Sequence, residues 1–164
     1  MNGPSTILLI DDDLEATEMI RHLLARAGFR GALRTVHGPA AALRFMFEAI
    51  ETAAIPQLIL VDLTLPEMHG LDLVREIRRL LRGERAFIAV VTSSDHGEDI
   101  DGAFSVGADA YIEKYPLVDE LIQLRDIMVG GVRPVRPVRL LRRNPSLASA
   151  KIGKFDEAES TGGR

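Results

Sequence analysis

Short apolar runs alternate five times with segments of helical period along this chain, and that alternation restricts it to a parallel sheet covered by helices on both faces. The runs fall at residues 7–10, 33–36, 58–61, 87–91 and around Tyr111 and Ile112. After the first, Ala16, Met19, Ile20, Leu23, Leu24 and Ala27 recur at spacings of three and four, which predicts one buried helix face. Gly28 suits the cap that ends this helix. Gly38-Pro39 then breaks the chain, with Pro39 placed for a first helical turn. The second helix is expected to bury Leu43, Met46, Phe47 and Ile50, and the third Leu73, Val74, Ile77 and Leu81. A weaker, polar fourth helix is expected over 98–106; with Gly102 inside it and few large apolar residues, it is the one expected to move most. A fifth is expected over 118–128, on Leu121, Leu124 and Met128.

Five such units describe an α/β, flavodoxin-like doubly wound (βα)5 parallel sheet of strand order 2-1-3-4-5. In sheets of this kind ligands sit beyond the carboxyl ends of the strands. Asp11, Asp12 and Asp13 follow the first strand, Asp62 the third, Thr92 the fourth and Lys114 the fifth. Taken singly, an acidic run after a strand is an ordinary helix N-cap, and a lone Thr or Lys there is ordinary surface. Together, on the rim where a site belongs, they define a chemistry. Clustered carboxylates repel and need a cation to stay ionised. Oxygen-only ligands favour a hard ion, and Mg²⁺ fits best, with Mn²⁺ able to substitute. Asp62 can then attack phosphorus as a carboxylate nucleophile to give an aspartyl-phosphate. Lys114 would offset charge on the phosphoryl oxygens, and the Thr92 hydroxyl would donate a hydrogen bond to one of them.

Composition narrows the alternatives. There is no cysteine among the 164 residues, which removes disulfides and thiolate metal sites. No apolar run approaches a membrane span. The N-terminus lacks a basic stretch leading into an apolar segment, so a cytoplasmic location is the default expectation. Residues 1–129 carry 12 Lys+Arg against 21 Asp+Glu, whereas residues 130–164 carry 8 against 3. An acidic domain therefore bears a basic tail, and the net charge of −4 disfavours nucleic acid as a partner of the whole surface.

The segments Ile7-Leu8-Leu9-Ile10-Asp11-Asp12-Asp13, Leu60-Val61-Asp62-Leu63-Thr64-Leu65-Pro66-Glu67-Met68-His69-Gly70, Val90-Val91-Thr92-Ser93-Ser94 and Gly107-Ala108-Asp109-Ala110-Tyr111-Ile112-Glu113-Lys114 resemble those of response-regulator receiver (CheY-like) domains. The resemblance covers residues 6–129, about three quarters of the chain. It implies a two-component phosphoacceptor switch, phosphorylated on Asp62 by a histidine kinase in a Mg²⁺-dependent reaction. It implies metal ligation by Asp12, Asp62 and the backbone carbonyl of Thr64, with Asp11 acting through water. It implies phosphate binding by Thr92 and Lys114, and a switch role for Tyr111. Pro66 and Gly70 are assigned turn geometry rather than chemistry. No catalysis is implied beyond self-phosphorylation from small donors and autodephosphorylation.

Two departures stand out. The family usually has Lys-Pro after strand five, joined by a cis peptide; here the order is Lys114-Tyr115-Pro116. Either that bond is trans, or the site holds a cis bond before a residue other than proline. The stretch between the second and third strands is also long, and 48–57 is expected to hold an extended helix end and loop. That length, with Thr92-Ser93-Ser94, is similar to the single-domain regulators that partner bacterial phytochromes. The tail, 130–164, places Pro134 and Pro137 in a Val-Arg-Pro repeat that suits an extended conformer, and residues 156–164 read as disordered. It is too short for a usual DNA-binding output domain, so output is expected through protein contacts. It reads as a solvated tail, as an arm contacting a partner subunit through Val132, Val135 and Val138, or as an arginine patch for acidic partners. A homodimer is expected through the face from the fourth to the fifth helix and this arm. Two other functions compete with this one. A pseudo-receiver that is never phosphorylated is favoured only by Tyr115. A haloacid-dehalogenase-like phosphatase would need an acidic residue where Thr64 stands.

Overall fold

The structure, a computed structural model, describes residues 6–93, 97–116 and 118–129, together with the backbone of 138–140. Strands β1 (Thr6–Ile10), β2 (Ala32–Val36), β3 (Leu58–Val61), β4 (Phe87–Thr92) and β5 (Ala110–Glu113) alternate with helices α1 (Leu14–Arg26), α2 (Pro39–Glu51), α3 (Gly70–Leu81), α4 (Gly97–Ser105) and α5 (Val118–Val129). The five strands are parallel in the expected order 2-1-3-4-5. A sixth, β6 (Val138–Leu140), pairs parallel with β5 and extends the order to β2-β1-β3-β4-β5-β6.

The sheet divides the core in two, as period-2 strands require. Leu8, Ile10, Ile59, Val61, Ile88 and Val90 face α2, α3 and α4, whereas Ile7, Leu9, Leu58, Leu60, Ala89 and Ile112 face α1 and α5. Both faces being covered explains why the strands read as continuous apolar runs rather than alternating ones. Burying a Leu or Ile side chain stabilises the fold by about 1.5–3 kcal/mol, so β1, β3 and β4 anchor it.

Two helix faces differ from the expectation. Met19 is 46% exposed and Phe47 56% exposed, although the sequence spacing predicts both on buried stripes. In α2 the covered residues are Ala42, Met46 and Ala49, with Leu43 and Ile50 half-buried. The covered face of α2 is thus carried by Ala42, Met46 and Ala49, and Phe47, one residue past Met46, lies off it. The loop after β2 and the extended end of α2 follow the expected outline, and Gly28 adopts φ 80° just past α1. A Cβ at Gly28 would lie 2.7 Å from Nη1 of Arg125, whose guanidinium donates to the carbonyl of Ala27. Gly102 likewise has a packing reason: a Cβ there would lie 2.9 Å from Leu71 Cδ1, so α4 sits close against α3.

An ion pair distant in sequence locks the amino-terminal side of the sheet. Arg78 in α3 donates Nε to the carbonyl of Gly107 at 2.7 Å, Nη1 to that of Ala86 at 2.9 Å, and Nη2 to Asp109 Oδ2. Asp109 Oδ2 also accepts the Ile88 N–H at 2.9 Å. Both side chains are largely covered, so truncation leaves a carboxylate and two carbonyls short of a donor. Arg78→Ala should destabilise the protein by roughly 2–4 kcal/mol, read as a lower urea midpoint. Arg78→Lys should recover only part of this, because one ammonium cannot reproduce the fork.

Candidate phosphoacceptor and metal site

The strand registers bring the expected residues to one rim. Ile10 is paired with Val36 and Val61, and the ladder runs one residue further: Asp11 N–H donates to the Val36 carbonyl at 3.2 Å and Asp62 N–H to that of Ile10 at 2.9 Å. On the other side Lys114 N–H donates to the Thr92 carbonyl at 2.7 Å. The backbones of Asp11, Asp62 and Lys114 are therefore held by the sheet itself.

Asp11 and Asp62 are buried and Asp12 is exposed, and each offers a carboxylate oxygen within 4.8 Å of the others. Lys114 Nζ lies 2.7 Å from Asp62 Oδ2 and 2.9 Å from Asp11 Oδ2. Asp62 Oδ1 accepts the Thr64 N–H at 3.1 Å, and Asp11 Oδ1 accepts that of Asp13 at 2.9 Å. The second contact of Lys114 is a charge contact rather than an aligned hydrogen bond, and Asp11 Oδ2 remains a buried oxygen that accepts none. Burial is the largest influence on Asp62 and raises its pKa above the ordinary 3.8; the hydrogen bonds from Lys114 and Thr64 and the lysine's charge pull the other way, while Asp11's charge adds to the rise. Burial would lower Lys114, but its hydrogen bond to Asp62, its close contact with Asp11 and the charges of both carboxylates outweigh it and raise its pKa above 10.5. Lys114 is thus an ammonium throughout the physiological range.

Thr92 is buried at the end of β4, and Tyr111 is buried in the core shared with Val61 and Val90, so it points inward here. The Lys114–Tyr115 peptide is cis, which decides between the two alternatives posed by the sequence. Asp13 stands apart from the cluster: its Oδ1 caps α1 by accepting the N–H groups of Glu15 and Ala16 at 2.9 and 3.1 Å. Residues 94–96, including Ser94, lie outside the described part of the chain.

Two supports of the site carry no local mark in the sequence. His37 Nδ1 lies 3.0 Å from the carbonyl of Asp11, bracing the acidic pair from the end of β2. Gly70, assigned only turn geometry, opens α3 directly against the backbone of Asp62 and Leu63, and its N–H donates to the Leu63 carbonyl at 2.9 Å. Its position eight residues after Asp62, at the start of a strongly periodic helix, was the only available signal.

The donor set suits a hard divalent cation. Three carboxylates converge, one buried oxygen lacks a hydrogen bond, and exposed Asp12 opens the cluster to solvent.

The family model for the response regulator receiver domain matches residues 7–125, and the chain belongs to that family. It is 29% identical over 125 residues to the chemotaxis protein CheY1 of Helicobacter pylori, covering 76% of this chain and 96% of that protein. It is 26% identical over 133 residues to response regulator Rcp1 of Synechocystis sp., covering 80% of this chain and 88% of that protein. Among solved structures, the Mn(2+)-bound form of Rcp1 superposes with a TM-score of 0.66 at 23% identity, covering 82% of this chain and 100% of that one. The phosphorylated cyanobacterial phytochrome response regulator RcpA gives 0.64 at 22%, covering 79% and 97%. At these identities the two structures speak for the fold.

Proposed function

We propose that this receiver is a two-component phosphorylation switch in which Asp62 accepts a phosphoryl group from a histidine kinase. The observation that carries the reading is the placement of Lys114 Nζ on Asp62 Oδ2 within a cluster of three carboxylates. A carboxylate oxygen of Asp62 attacks phosphorus, the bond to the donor nitrogen breaks, and Lys114 follows the charge onto the phosphoryl oxygens. The Thr92 hydroxyl donates to one of those oxygens. Asp12, Asp62 and the Thr64 carbonyl would hold Mg²⁺, with Asp11 supporting it. When bound, the ion neutralises carboxylate and phosphoryl charge that would otherwise repel.

Residues 1–129 form the receiver and 130–164 the basic arm. Output runs through protein contacts, with Tyr111 and the adjoining α4–β5–α5 face as the responsive region and a homodimer through that face and the arm. The first kinase to test is a phytochrome-type one, since RcpA, a phytochrome response regulator, shares this fold.

Acetyl phosphate and Mg²⁺ should add one phosphoryl mass to the protein, and Asp62→Asn should remove that addition wholly. Chelation should do the same. An unmodified wild-type protein under saturating donor and Mg²⁺, or an undiminished addition on Asp62→Asn, overturns the assignment.

A further inference from the structure

The sixth strand has an anomaly of handedness. Along the first five strands, β2–α2–β3, β3–α3–β4 and β4–α4–β5 all step toward β5 with their helices on one face, packed on Ile59, Val61 and Ile88. β1–α1–β2 steps the opposite way with α1 on the opposite face. These four connections therefore share one hand, the right-handed one that about 98% of parallel crossovers adopt. β5–α5–β6 breaks the pattern. It steps outward again, yet α5 lies on the α1 face, where Leu121 and Leu124 pack with Ile20 and Leu24 and Arg125 binds the Ala27 carbonyl. Within one chain this last crossover is left-handed.

The pairing itself is regular. Ala110 stands opposite Val138, Tyr111 opposite Arg139 and Ile112 opposite Leu140, and β6 covers backbone groups that would otherwise form an open sheet edge. The β5 edge thus accepts an extended segment in parallel register, while the connection that would deliver it from its own chain has the disfavoured hand. Eight residues, 130–137, join Val129 to Val138. Fully extended they reach about 26–29 Å, enough to arrive at a neighbouring molecule as well as at their own sheet.

We propose that the β5 edge is filled by residues 138–140 of a second copy of this chain, in reciprocal exchange. The β5–β6 register is unchanged by the exchange, so each sheet keeps the same backbone pairing. The left-handed connection disappears, because the strand now comes from a different molecule. Two identical exchanges close as a two-fold dimer. This deepens the homodimer reading: the arm contributes a strand to its partner's sheet, beside the strand that leads to Lys114.

The 164 residues include no cysteine, so a designed pair reports without background. The double variant Ala110→Cys/Val138→Cys is oxidised and run under denaturing, non-reducing conditions. Exchange predicts a covalent dimer of twice the 18.0 kDa chain with both thiols consumed. A species at chain mass with both thiols consumed shows the strand pairing within its own molecule and overturns the proposal, as do two free thiols. Ile112→Cys/Leu140→Cys repeats the test one register step along, in case the first pair disturbs folding. Mixing the two single variants Ala110→Cys and Val138→Cys should also give a crosslinked pair. A dimer through the α4–α5 face alone would scatter light as a dimer yet carry internal disulfides, so the exchange can fail while the homodimer stands. Acceptance of phosphate by Asp62 is read separately and survives either outcome.

Discussion

Gly70→Ala should be the most damaging Gly→Ala change among the described residues, destabilising the protein by roughly 3 kcal/mol, at or above the usual cost of overpacking. A Cβ at this position would lie 2.6 Å from Leu63 Cα and 3.0 Å from the Asp62 carbonyl carbon, and in contact with that residue's carbonyl oxygen. All three atoms are backbone, so no rotamer change relieves the crowding. Either α3 withdraws from the end of β3, or Asp62 and Leu63 move. The first opens the contacts of Leu73, Val74 and Ile77, which are fully buried. The second shifts the Asp62 carboxylate away from Lys114 and the Thr64 N–H. Both outcomes predict a lower denaturation midpoint, and phosphoryl uptake from acetyl phosphate should slow at least tenfold. Gly38→Ala supplies the contrast, since a Cβ there meets nothing within 4 Å. That change should cost about 1 kcal/mol or less and leave uptake unaltered. Equal midpoints for the two variants would show that the approach of α3 to Asp62 is not a constraint.

The contrast between these two glycines also marks what a sequence can convey. Gly38 and Gly70 look alike on the page, each opening a helix, and only the tertiary approach of α3 separates them. Local and periodic features were legible. The apolar runs of β1, β3 and β4 announce strands covered on both sides, and the α3 stripe of Leu73, Val74, Ile77 and Leu81 is buried as its spacing demands. The rim residues were legible because parallel topology sends every strand end to one side. Features made by the meeting of distant segments were not. Arg78 and Asp109 are 31 residues apart, and neither is marked locally as half of a pair. Phe47 was misplaced because periodicity names a stripe without saying which edge of it the sheet covers; Ala42 and Ala49 were the better guide. β6 was hidden because Val138-Arg139-Leu140 is a three-residue stretch whose sequence alone indicates no more than an extended chain. Such a segment becomes a strand when an edge such as β5 is offered, and that offer is made elsewhere in the sequence.

Lys114→Ala should destabilise the Mg²⁺-free protein by roughly 3–5 kcal/mol, the range found when one partner of a buried ion pair is removed. Asp11 and Asp62 are 1% and 4% exposed, and Lys114 is the cation that the structure places against both. Without it two buried carboxylates face each other with Asp12 beside them. A divalent cation in the cluster would replace the lost charge, so Mg²⁺ should raise the melting temperature of the variant by more than that of the wild type. The pH dependence fixes the sign independently. Asp62 has a folded-state pKa above its ordinary 3.8, with burial the chief cause. Its contribution to stability is therefore fully present below 3.8 and is lost as pH rises through the folded value. Mg²⁺ would bind the ionised form, so stabilisation by Mg²⁺ should grow over that same interval and level off above it. Removing Lys114 takes away a hydrogen bond and a charge that both hold the Asp62 pKa down. The interval should consequently move to higher pH in the variant. Circular-dichroism melts across pH, with and without Mg²⁺, read both effects together. A variant that melts like the wild type without Mg²⁺, or whose Mg²⁺ response keeps the same pH midpoint, would mean that Lys114 does not carry the electrostatic balance of the site.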